Sequence, residues 1–437
     1  LAAILVVAAV VRLWCALGPM ADRAVPIDAA NERAVAQTWA DGNGFSVTND
    51  AGVHSPATDH VPVHVIVLTI LDRFGLQSAG AQRVALGLLS LIGVAAVALI
   101  GWLLGRPTVG LVAAGIAAVD PMWFQPATNL MAEGIFLWMV PVVLLAAVWC
   151  RNRGTWVRII LLGLAVGLAT LTRSEAILLL PAIAVPVAWL STIGVRRKVL
   201  AVGATVLAFS FVVGPWLVRQ HHDTRSWTLS TNQGSTFLGS SCDAAFNGPR
   251  AGGWVAQCFI DGLNKAYDPV ANPHPARTGA EASQQLTTAA FDYDRAHESE
   301  LPRVVALRVG RAWGVARVSD TYDYDVYEDR LAGPQWVGYA MNWLLIPLAI
   351  VGMVLLSRDE WRRWWILVPP IIASTIVVAI FWGTPRLRTG AEPSLALFAA
   401  FAIIEGGGRV LRRLRRRRSG GGDDEVIDLT DREVVPA

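Results

Sequence analysis

The chain has 437 residues, 54% of them hydrophobic and 16% charged, with a net charge of +3 and a mean hydropathy of +0.46. Soluble domains carry about 25% charged residues, so this composition excludes an ordinary soluble protein. A charge this close to balance singles out no partner, and no nucleic-acid partner is expected; the placement of the charges says more.

Apolar runs of near-spanning length recur along the chain. They lie near 1–20, 80–105, 107–124, 131–150, 157–173, 176–195, 198–219, 335–356, 364–383 and 393–410. Basic clusters fall at alternate ends of these runs: Arg106; Arg151 and Arg153; Arg196, Arg197 and Lys198; Arg358 with Arg362 and Arg363; and Arg409 through Arg418. Excess Lys and Arg marks the cytoplasmic side. The path is an all-α polytopic membrane protein of about ten transmembrane helices with outer interfacial helices and a small mixed extracytoplasmic subdomain. Its expected setting is a bacterial plasma membrane, with the site on the extracytoplasmic face and the C-terminus in the cytoplasm. Four parts are expected: a catalytic membrane module 1–219 that includes the outer loop 21–79, an extracytoplasmic subdomain 220–334, C-terminal membrane helices 335–410, and a basic then acidic disordered tail 411–437.

At the N-terminus, the apolar residues before Arg12 fall short of the roughly 20 a span needs, so the start reads as trimmed; a cleaved signal peptide is not expected. The first polar loop carries Asp28-Ala-Ala-Asn-Glu32, then Gly42-Asn-Gly-Phe45, and ends at His60-Val-Pro62. Acidic and Gly-rich sequence at the mouth of the first helix makes sense if a carboxylate does chemistry at the water–lipid boundary. Segment 61–76 is apolar but too short to span, and reads as an interfacial helix.

In 220–334 the first half is rich in Gly, Asn, Ser and Pro, which predicts loops and short strands. From Glu281 to about Val318 the pattern turns helical, with Pro302 separating two helices. The second, Arg303 to Arg317, mixes apolar residues with Arg303, Arg308 and Arg311 and reads as an interfacial helix. Cys242 and Cys258 share this segment. Outside the cytoplasm such a pair reads as a disulfide, with two free thiols as the alternative. The arginine run in the tail either binds anionic lipid or simply fixes orientation. There is no internal repeat.

Four charged constellations fall on the predicted outer side: Asp28 with Glu32; Glu133 at the start of a span; Arg173 and Glu175 in a tight turn; and Arg386 with Arg388 near Glu392. A charge inside a membrane costs several kcal/mol unless it is paired or faces water (about 2.5–3.5 on insertion scales). Each set has a plain reading: Arg173 and Glu175 pairing across a hairpin, the arginines reaching headgroups, Glu133 bonding a neighbouring helix. Their coincidence on one face suggests a polar cavity with groups of both signs, suited to a phosphorylated substrate. His60, His64, His221 and His222 show no short metal-ligand spacing. No cofactor is indicated, a divalent metal stays open, and His60 beside Asp59 is the protein ligand if one binds. There is no Walker or Rossmann phosphate loop, which argues against a soluble nucleotide.

These residues resemble the GT-C class of polytopic glycosyltransferases, and most closely the bacterial relatives of the protein O-mannosyltransferases and of the aminoarabinose transferase that modifies lipid A. The resemblance covers most of the chain. It rests on Asp28 with Gly42-Asn-Gly-Phe45, on Ala132-Glu-Gly-Ile-Phe136, on Gly163 through Glu175, on Gly214-Pro-Trp-Leu-Val-Arg219, on Leu229 through Gly234, and on Arg386 through Pro393. The Cys242/Cys258 loop and Arg308 through Gly314 look like an actinobacterial branch. The resemblance implies Asp28 as catalytic base, Glu133 as an acidic residue lining the site, and Arg173 facing the lipid phosphate. It places His60 near a metal-binding position of the lipid A enzyme. Protein O-mannosyltransferases carry an adjacent acidic pair in the first loop, whereas here Ala29 follows Asp28, and Glu32 stands where Tyr is frequent.

The expected activity is inverting transfer of a hexosyl or pentosyl group from a polyprenyl-phosphate donor to an extracytoplasmic acceptor: a cell-envelope glycan, lipid or protein. Asp28 and Glu133 are the expected catalytic residues. Glu32, Arg173, Glu175, Arg219, Arg386 and Arg388 are expected to hold the lipid phosphate and sugar, with membrane lipids as further partners. The rival readings are a flippase or transporter of lipid-linked sugars, which usually shows repeat symmetry, and a non-catalytic scaffold of envelope assembly.

Overall fold

The computed structural model describes residues 1–49 and 51–408. The basic run 409–418 and the acidic tail lie outside the described residues.

Among the described residues, five helices are long and apolar enough to cross a membrane: Ala79–Leu103, Ala132–Asn152, Val195–Thr224, Ala332–Leu355 and Pro385–Gly406. Two broken pairs raise the number to seven if each is one span: Pro107–Val119 with Pro121–Thr128, bent by 53°, and Arg358–Leu367 with Pro369–Ile380, bent by 45°. The protein is a multi-pass membrane protein. The expected count of about ten exceeds seven because three runs form shorter apolar helices, Ala2–Leu17, Trp156–Thr170 and Ser174–Leu190. The last of these passes through 3-10, π and α geometry, and Pro181 and Pro186 account for the broken ladder because neither can donate a backbone hydrogen bond.

Local sequence explains the bends. Asp120 ends one helix in an extended conformation, and its side chain accepts from Met122 N at 2.8 Å while Pro121 opens the next helix. The N-terminal proline and the capping acid together restart the helix in a new direction. The carbonyls of Ala117 and Ala118, freed at this break, accept from the guanidinium of Arg12 at 3.2 and 2.9 Å, and Arg12 also donates to Ser90 Oγ at 2.6 Å. Arg12 therefore does not mark the end of a membrane run. It is buried inside the first helix and caps another. Arg83 does the same for the chain leaving Ala2–Leu17, donating to the carbonyls of Met20, Arg23 and Ala24.

Small residues bring the helices close, as in membrane packing generally. A Cβ added at Gly163 would lie 2.3 Å from the Thr205 carbonyl, so Trp156–Thr170 sits directly on Val195–Thr224. The helix Glu392–Phe401 is buried along its whole length and forms the centre of the bundle.

The polar segment 220–334 corrects two expectations. Its first half holds short helices, Gln233–Leu238, Asp243–Phe246 and Ala256–Tyr267, rather than strands. Among the described residues, strands occur instead in the first loop, where Ser46–Thr48 pairs antiparallel with His54–Pro56. The expected pair of helices is present, Gly279–Ala296 and Leu301–Ala312, but the break falls at 297–300 and Pro302 sits in the first turn of the second helix, where its missing donor costs nothing. The second, however, buries Arg308 and Arg311 in protein. Arg308 caps Pro369–Ile380 by donating to the carbonyls of Ala379 and Ile380 at 3.2 and 2.9 Å, and Arg311 pairs with Asp320. Its basic face is thus turned to carbonyls and a carboxylate rather than to headgroups. Cys242 and Cys258 form the expected disulfide.

Candidate functional site

Four helix beginnings and tight turns deliver charged side chains to one place. Asp28 lies in the first turn of Ile27–Ala40, after Pro26 has set the entry of the chain. Glu133 lies in the first turn of Ala132–Asn152, where the helix N-terminus favours a carboxylate. The turn before it is tightly fixed. Leu130 is buried with φ 65°, a left-handed conformation uncommon for a non-glycine residue, and a Cβ at Gly134 would meet the Pro126 carbonyl at 2.4 Å. Arg173 stands between Trp156–Thr170 and the 3-10 turn Ser174–Leu178. Arg386 stands in the 3-10 turn Pro385–Ala391, capped by the Thr384 hydroxyl, which accepts from Arg386 N at 3.3 Å.

Arg386 is the hub. Its Nη2 donates to Asp28 Oδ2 at 2.9 Å, its Nη1 to Glu328 Oε1 at 2.9 Å, and its Nε to Glu133 Oε1. Arg173 donates from Nη1 to the same Glu133 oxygen and from Nε to Glu175. One fully buried carboxylate is thus shared by two guanidiniums, and three carboxylates converge on one of them. Charge-assisted bonds of this kind are the strong ones. The Arg386 turn is braced from behind: Asp325 accepts from Gln335 Nε2 at 2.6 Å and from the Tyr339 hydroxyl at 2.9 Å, and lies within 3.4 Å of the Thr384 hydroxyl.

The structure therefore brings together Asp28, Glu133, Arg173, Glu175 and Arg386. It adds Glu328, which the sequence reading missed. The available signal was the acidic run Asp323 to Asp329 immediately before a span, the same placement that singled out the other constellations. Burial and the neighbouring carboxylates Asp325, Asp28 and Glu133 push the Glu328 carboxyl above its ordinary range, against the pull of Arg386.

The other expected residues go elsewhere. Glu32 is buried and accepts or shares a proton with His64 Nδ1 at 2.8 Å, tying Ile27–Ala40 to Pro62–Arg73. Arg388, two residues from Arg386, is buried on the far side of the turn with Glu392 at 2.8 Å and the Trp313 ring at 5.2 Å. Arg219 donates to the carbonyls of Ala57 and Phe45 at 3.0 and 2.8 Å, pairs with Asp223 at 3.3 Å, and packs on the rings of Phe45 and Trp216. It pins the first loop to Val195–Thr224. Glu32, Arg219 and Arg388 thus serve packing in this arrangement and do not touch the Arg386 cluster.

His60 is bonded to Asp59 at 3.1 Å. Burial opposes its charge, but the Asp59 hydrogen bond and the charges of Glu32, Asp59 and Asp28 win, and its pKa is raised to about 9. A protonated imidazole has no lone pair for a metal. Among the described residues no group of three or more His, Cys, Asp or Glu side chains is arranged to hold a metal ion. Of the carboxylates whose charge reaches His60, Asp28 is bonded to Arg386 and Glu32 to His64. These residues do not fit a metal centre at His60.

An apolar cavity opens beside the cluster. Phe136, Val140, Ala176, Leu179, Ala373 and Val377 line it, with Glu175 at its polar end.

Residues 59–218 match the family described as dolichyl-phosphate-mannose-protein mannosyltransferase. No curated protein matches the chain. Among solved structures, the chain is similar to the archaeal oligosaccharyltransferase AglB from Archaeoglobus fulgidus in complex with an inhibitory peptide and a dolichol-phosphate: the TM-score is 0.55, the identity 14%, and the match covers 97% of this chain and 52% of that one. The Archaeoglobus fulgidus oligosaccharyltransferase tethered to an acceptor peptide gives a TM-score of 0.56 at 12% identity, over 97% of this chain and 51% of that one. ArnT from Cupriavidus metallidurans bound to undecaprenyl phosphate gives 0.42 at 14% identity, over 97% and 81%. The chain spans about half the length of the oligosaccharyltransferase structures it matches. The chain shares the fold of the oligosaccharyltransferase structures, and the family match over 59–218 agrees with the resemblance to the protein O-mannosyltransferases.

Proposed function

We propose, on the premise of this shared fold, that the chain transfers a sugar from a polyprenyl-phosphate donor to an acceptor hydroxyl or amine on the extracytoplasmic face, with inversion at the anomeric carbon. The observation that carries this reading is the cluster itself. It pairs a half-exposed carboxylate, Asp28, with two guanidiniums beside an apolar cavity, which is the set of groups a lipid-phosphate leaving group and an attacking nucleophile together require.

In this reading Asp28 accepts the proton of the acceptor hydroxyl or amine as that atom bonds to the anomeric carbon. The bond from this carbon to the phosphate oxygen breaks, and its electron pair leaves on the lipid phosphate. Arg173 stabilises the charge there, with Arg386 beside it. Glu133 has no exposure and serves to hold both guanidiniums on one of its oxygens. The small apolar cavity at Phe136, Val140, Leu179 and Val377 marks the side from which the isoprenoid chain would enter from the bilayer. The polar segment 220–334, with its disulfide, stands on the extracytoplasmic face and closes over the acceptor side.

The test uses purified protein in lipid, a panel of radiolabelled polyprenyl-phosphate sugars, and envelope extract as acceptor. Wild type is expected to move label from one donor. Asp28→Asn is expected to retain less than about 1% of the rate, since a general base contributes about 10²–10⁴-fold, while unfolding at the wild-type temperature. Transfer by this variant above a few per cent removes Asp28 as the base. Saturable donor binding with no transfer by either protein would favour a lipid-linked sugar carrier instead.

A further inference from the structure

Arg330 is a buried guanidinium without a partner. It lies just before the span Ala332–Leu355, and the residue is 7% exposed. Only its backbone is engaged: the carbonyl accepts from Arg23 Nη1 at 3.4 Å, and the N–H donates to the Asp325 carbonyl at 3.0 Å. Among the described residues its side chain makes no hydrogen bond and no ion pair. Burial lowers its pKa from the ordinary arginine value, and the charges of Asp325, Glu133 and Glu328 do not make up the loss. Those same charges place it at the Arg386 cluster. Its side chain lines a small cavity whose other polar walls are Asp325, Gln335, Arg386, Thr389 and Glu392. Most of these neighbours already have partners. Asp325 accepts from Gln335 Nε2 and the Tyr339 hydroxyl, Gln335 Oε1 accepts from Gln125 Nε2 at 3.0 Å, the Thr389 hydroxyl donates to the Arg386 carbonyl, and Glu392 pairs with Arg388. Arg386 keeps N–H donors beyond the three that bond carboxylates. A buried charge without a partner is costly. Water in the cavity would solvate the guanidinium without balancing its charge. An oxyanion does both, and the planar fork of arginine fits a phosphate.

We propose that Arg330 is a binding residue for the donor: with Arg386 across the cavity, it takes a phosphoryl oxygen of the polyprenyl phosphate. The idea rests on the transferase reading given above and adds to it a third guanidinium. Arg173 and Arg386 are held by carboxylates, so part of their charge is already answered. Arg330 has no carboxylate at contact distance and offers its charge undiminished. The fold also says where the phosphate comes from. One turn, Pro385–Ala391, walls two cavities: Arg386 and Thr389 face the polar one, and Gly390 faces the apolar one that opens beside the cluster. A phosphate joined to an isoprenoid chain can reach Arg330 across this turn while its lipid stays on the apolar side.

The experiment is a titration of undecaprenyl phosphate, without sugar, into the full chain in phosphatidylcholine nanodiscs. Undecaprenol serves as the phosphate-free control and inorganic phosphate as the lipid-free one, and thermal unfolding establishes that each variant is folded. The readout is the ratio of affinities for undecaprenyl phosphate and undecaprenol, which a purely structural role of Arg330 would not move. Arg330→Met is expected to lower this ratio about tenfold or more, the scale of a hydrogen bond to a charged group. Arg330→Gln is expected to do the same, and it carries the test if the methionine variant does not fold. Arg33→Met removes a cation of Ile27–Ala40 that bonds Gln82 and the Gln77 carbonyl, and is expected to keep the wild-type ratio. An unchanged ratio in a folded Arg330 variant overturns the assignment, and so does an equal fall in Arg33→Met, which would mean a diffuse charge effect. Loss of inorganic phosphate binding in Arg330→Met, with undecaprenyl phosphate binding intact, would give the cavity to a free anion and overturn the assignment as well. If wild type itself shows no preference for undecaprenyl phosphate over undecaprenol, the donor reading falls, and the role of Arg330 with it.

Discussion

The chain buries arginines in two distinct ways. Arg12 and Arg308 donate to backbone carbonyls at helix ends, and Arg83 to carbonyls of the loop that follows Ala2–Leu17. Arg173 and Arg386 donate to carboxylates that come from other parts of the chain. The first group satisfies buried backbone carbonyls that helix ends and the following loop leave unpaired, a need that is permanent and local. The second group gathers more carboxylates than structural need explains, at one edge of the bundle and with one member half-exposed. A guanidinium on carbonyls is a fixed joint. A guanidinium that gathers carboxylates from distant parts of the chain, one of them half-exposed, concentrates charge in one place within reach of solvent, and that difference separates architecture from site.

Substitutions sharpen this contrast, beginning with the largest expected effect. Arg386→Met should abolish sugar transfer and cost about 3 kcal/mol of stability or more, because Glu133 and Glu328 then keep their charge with fewer partners; transfer assay and unfolding in detergent read the two losses separately. Wild-type transfer by Arg386→Met would reduce the hub to another joint. Replacing Cys242 and Cys258 together by Ser should cost about 3 kcal/mol, the loop-closure entropy of roughly 15 residues, measured as a fall in unfolding temperature that reductant reproduces in wild type. Arg12→Met should cost about 1–3 kcal/mol for the carbonyls it leaves unpaired and leave the transfer rate per folded molecule unchanged. A specific loss of rate in Arg12→Met would blur the line between joint and site.

The smallest effect concerns pH. His60 holds its proton up to about 9 in the folded chain, above the unfolded value of about 6.5. Folded protein therefore binds more protons than unfolded between these limits. The stabilisation is fully present below pH about 6.5 and is lost as pH rises toward 9. With Asp59 half-exposed, the loss should be on the order of 1 kcal/mol. Asp59→Asn should flatten the dependence, as read by unfolding temperature across that range. An unchanged slope in the variant would mean that the Asp59 contact does not hold the proton.

Sequence reading met the site unevenly, and the reasons are specific. Asp28, Glu133, Arg173, Glu175 and Arg386 stood out because a charge at the end of an apolar run is costly and therefore conspicuous. Glu328 was passed over because its acidic run looked like ordinary polar loop. Glu32 and Arg388 were included by proximity, since a residue four or two positions from a site residue shares its surroundings in sequence but not in space. Glu32 meets His64 on the next helix, and Arg388 points across its turn to Glu392.

What the sequence by itself determined was the helical membrane class, the approximate runs, a helix break close to Pro302 and the presence of two cysteines in one polar segment. Each follows from a local quantity: apolar length, a missing backbone donor, thiols in one short stretch. The partnership of Arg386 with Asp28 and Glu133, 358 and 253 residues away, was decided by the tertiary structure alone. So was the use of Arg12 and Arg308 as helix caps and of Arg83 as a tie for the loop after the first helix. Hydropathy carries no information about pairs, and which carbonyl or carboxylate a buried guanidinium meets depends on how the helices pack, since burial makes the charge demand a partner without naming it.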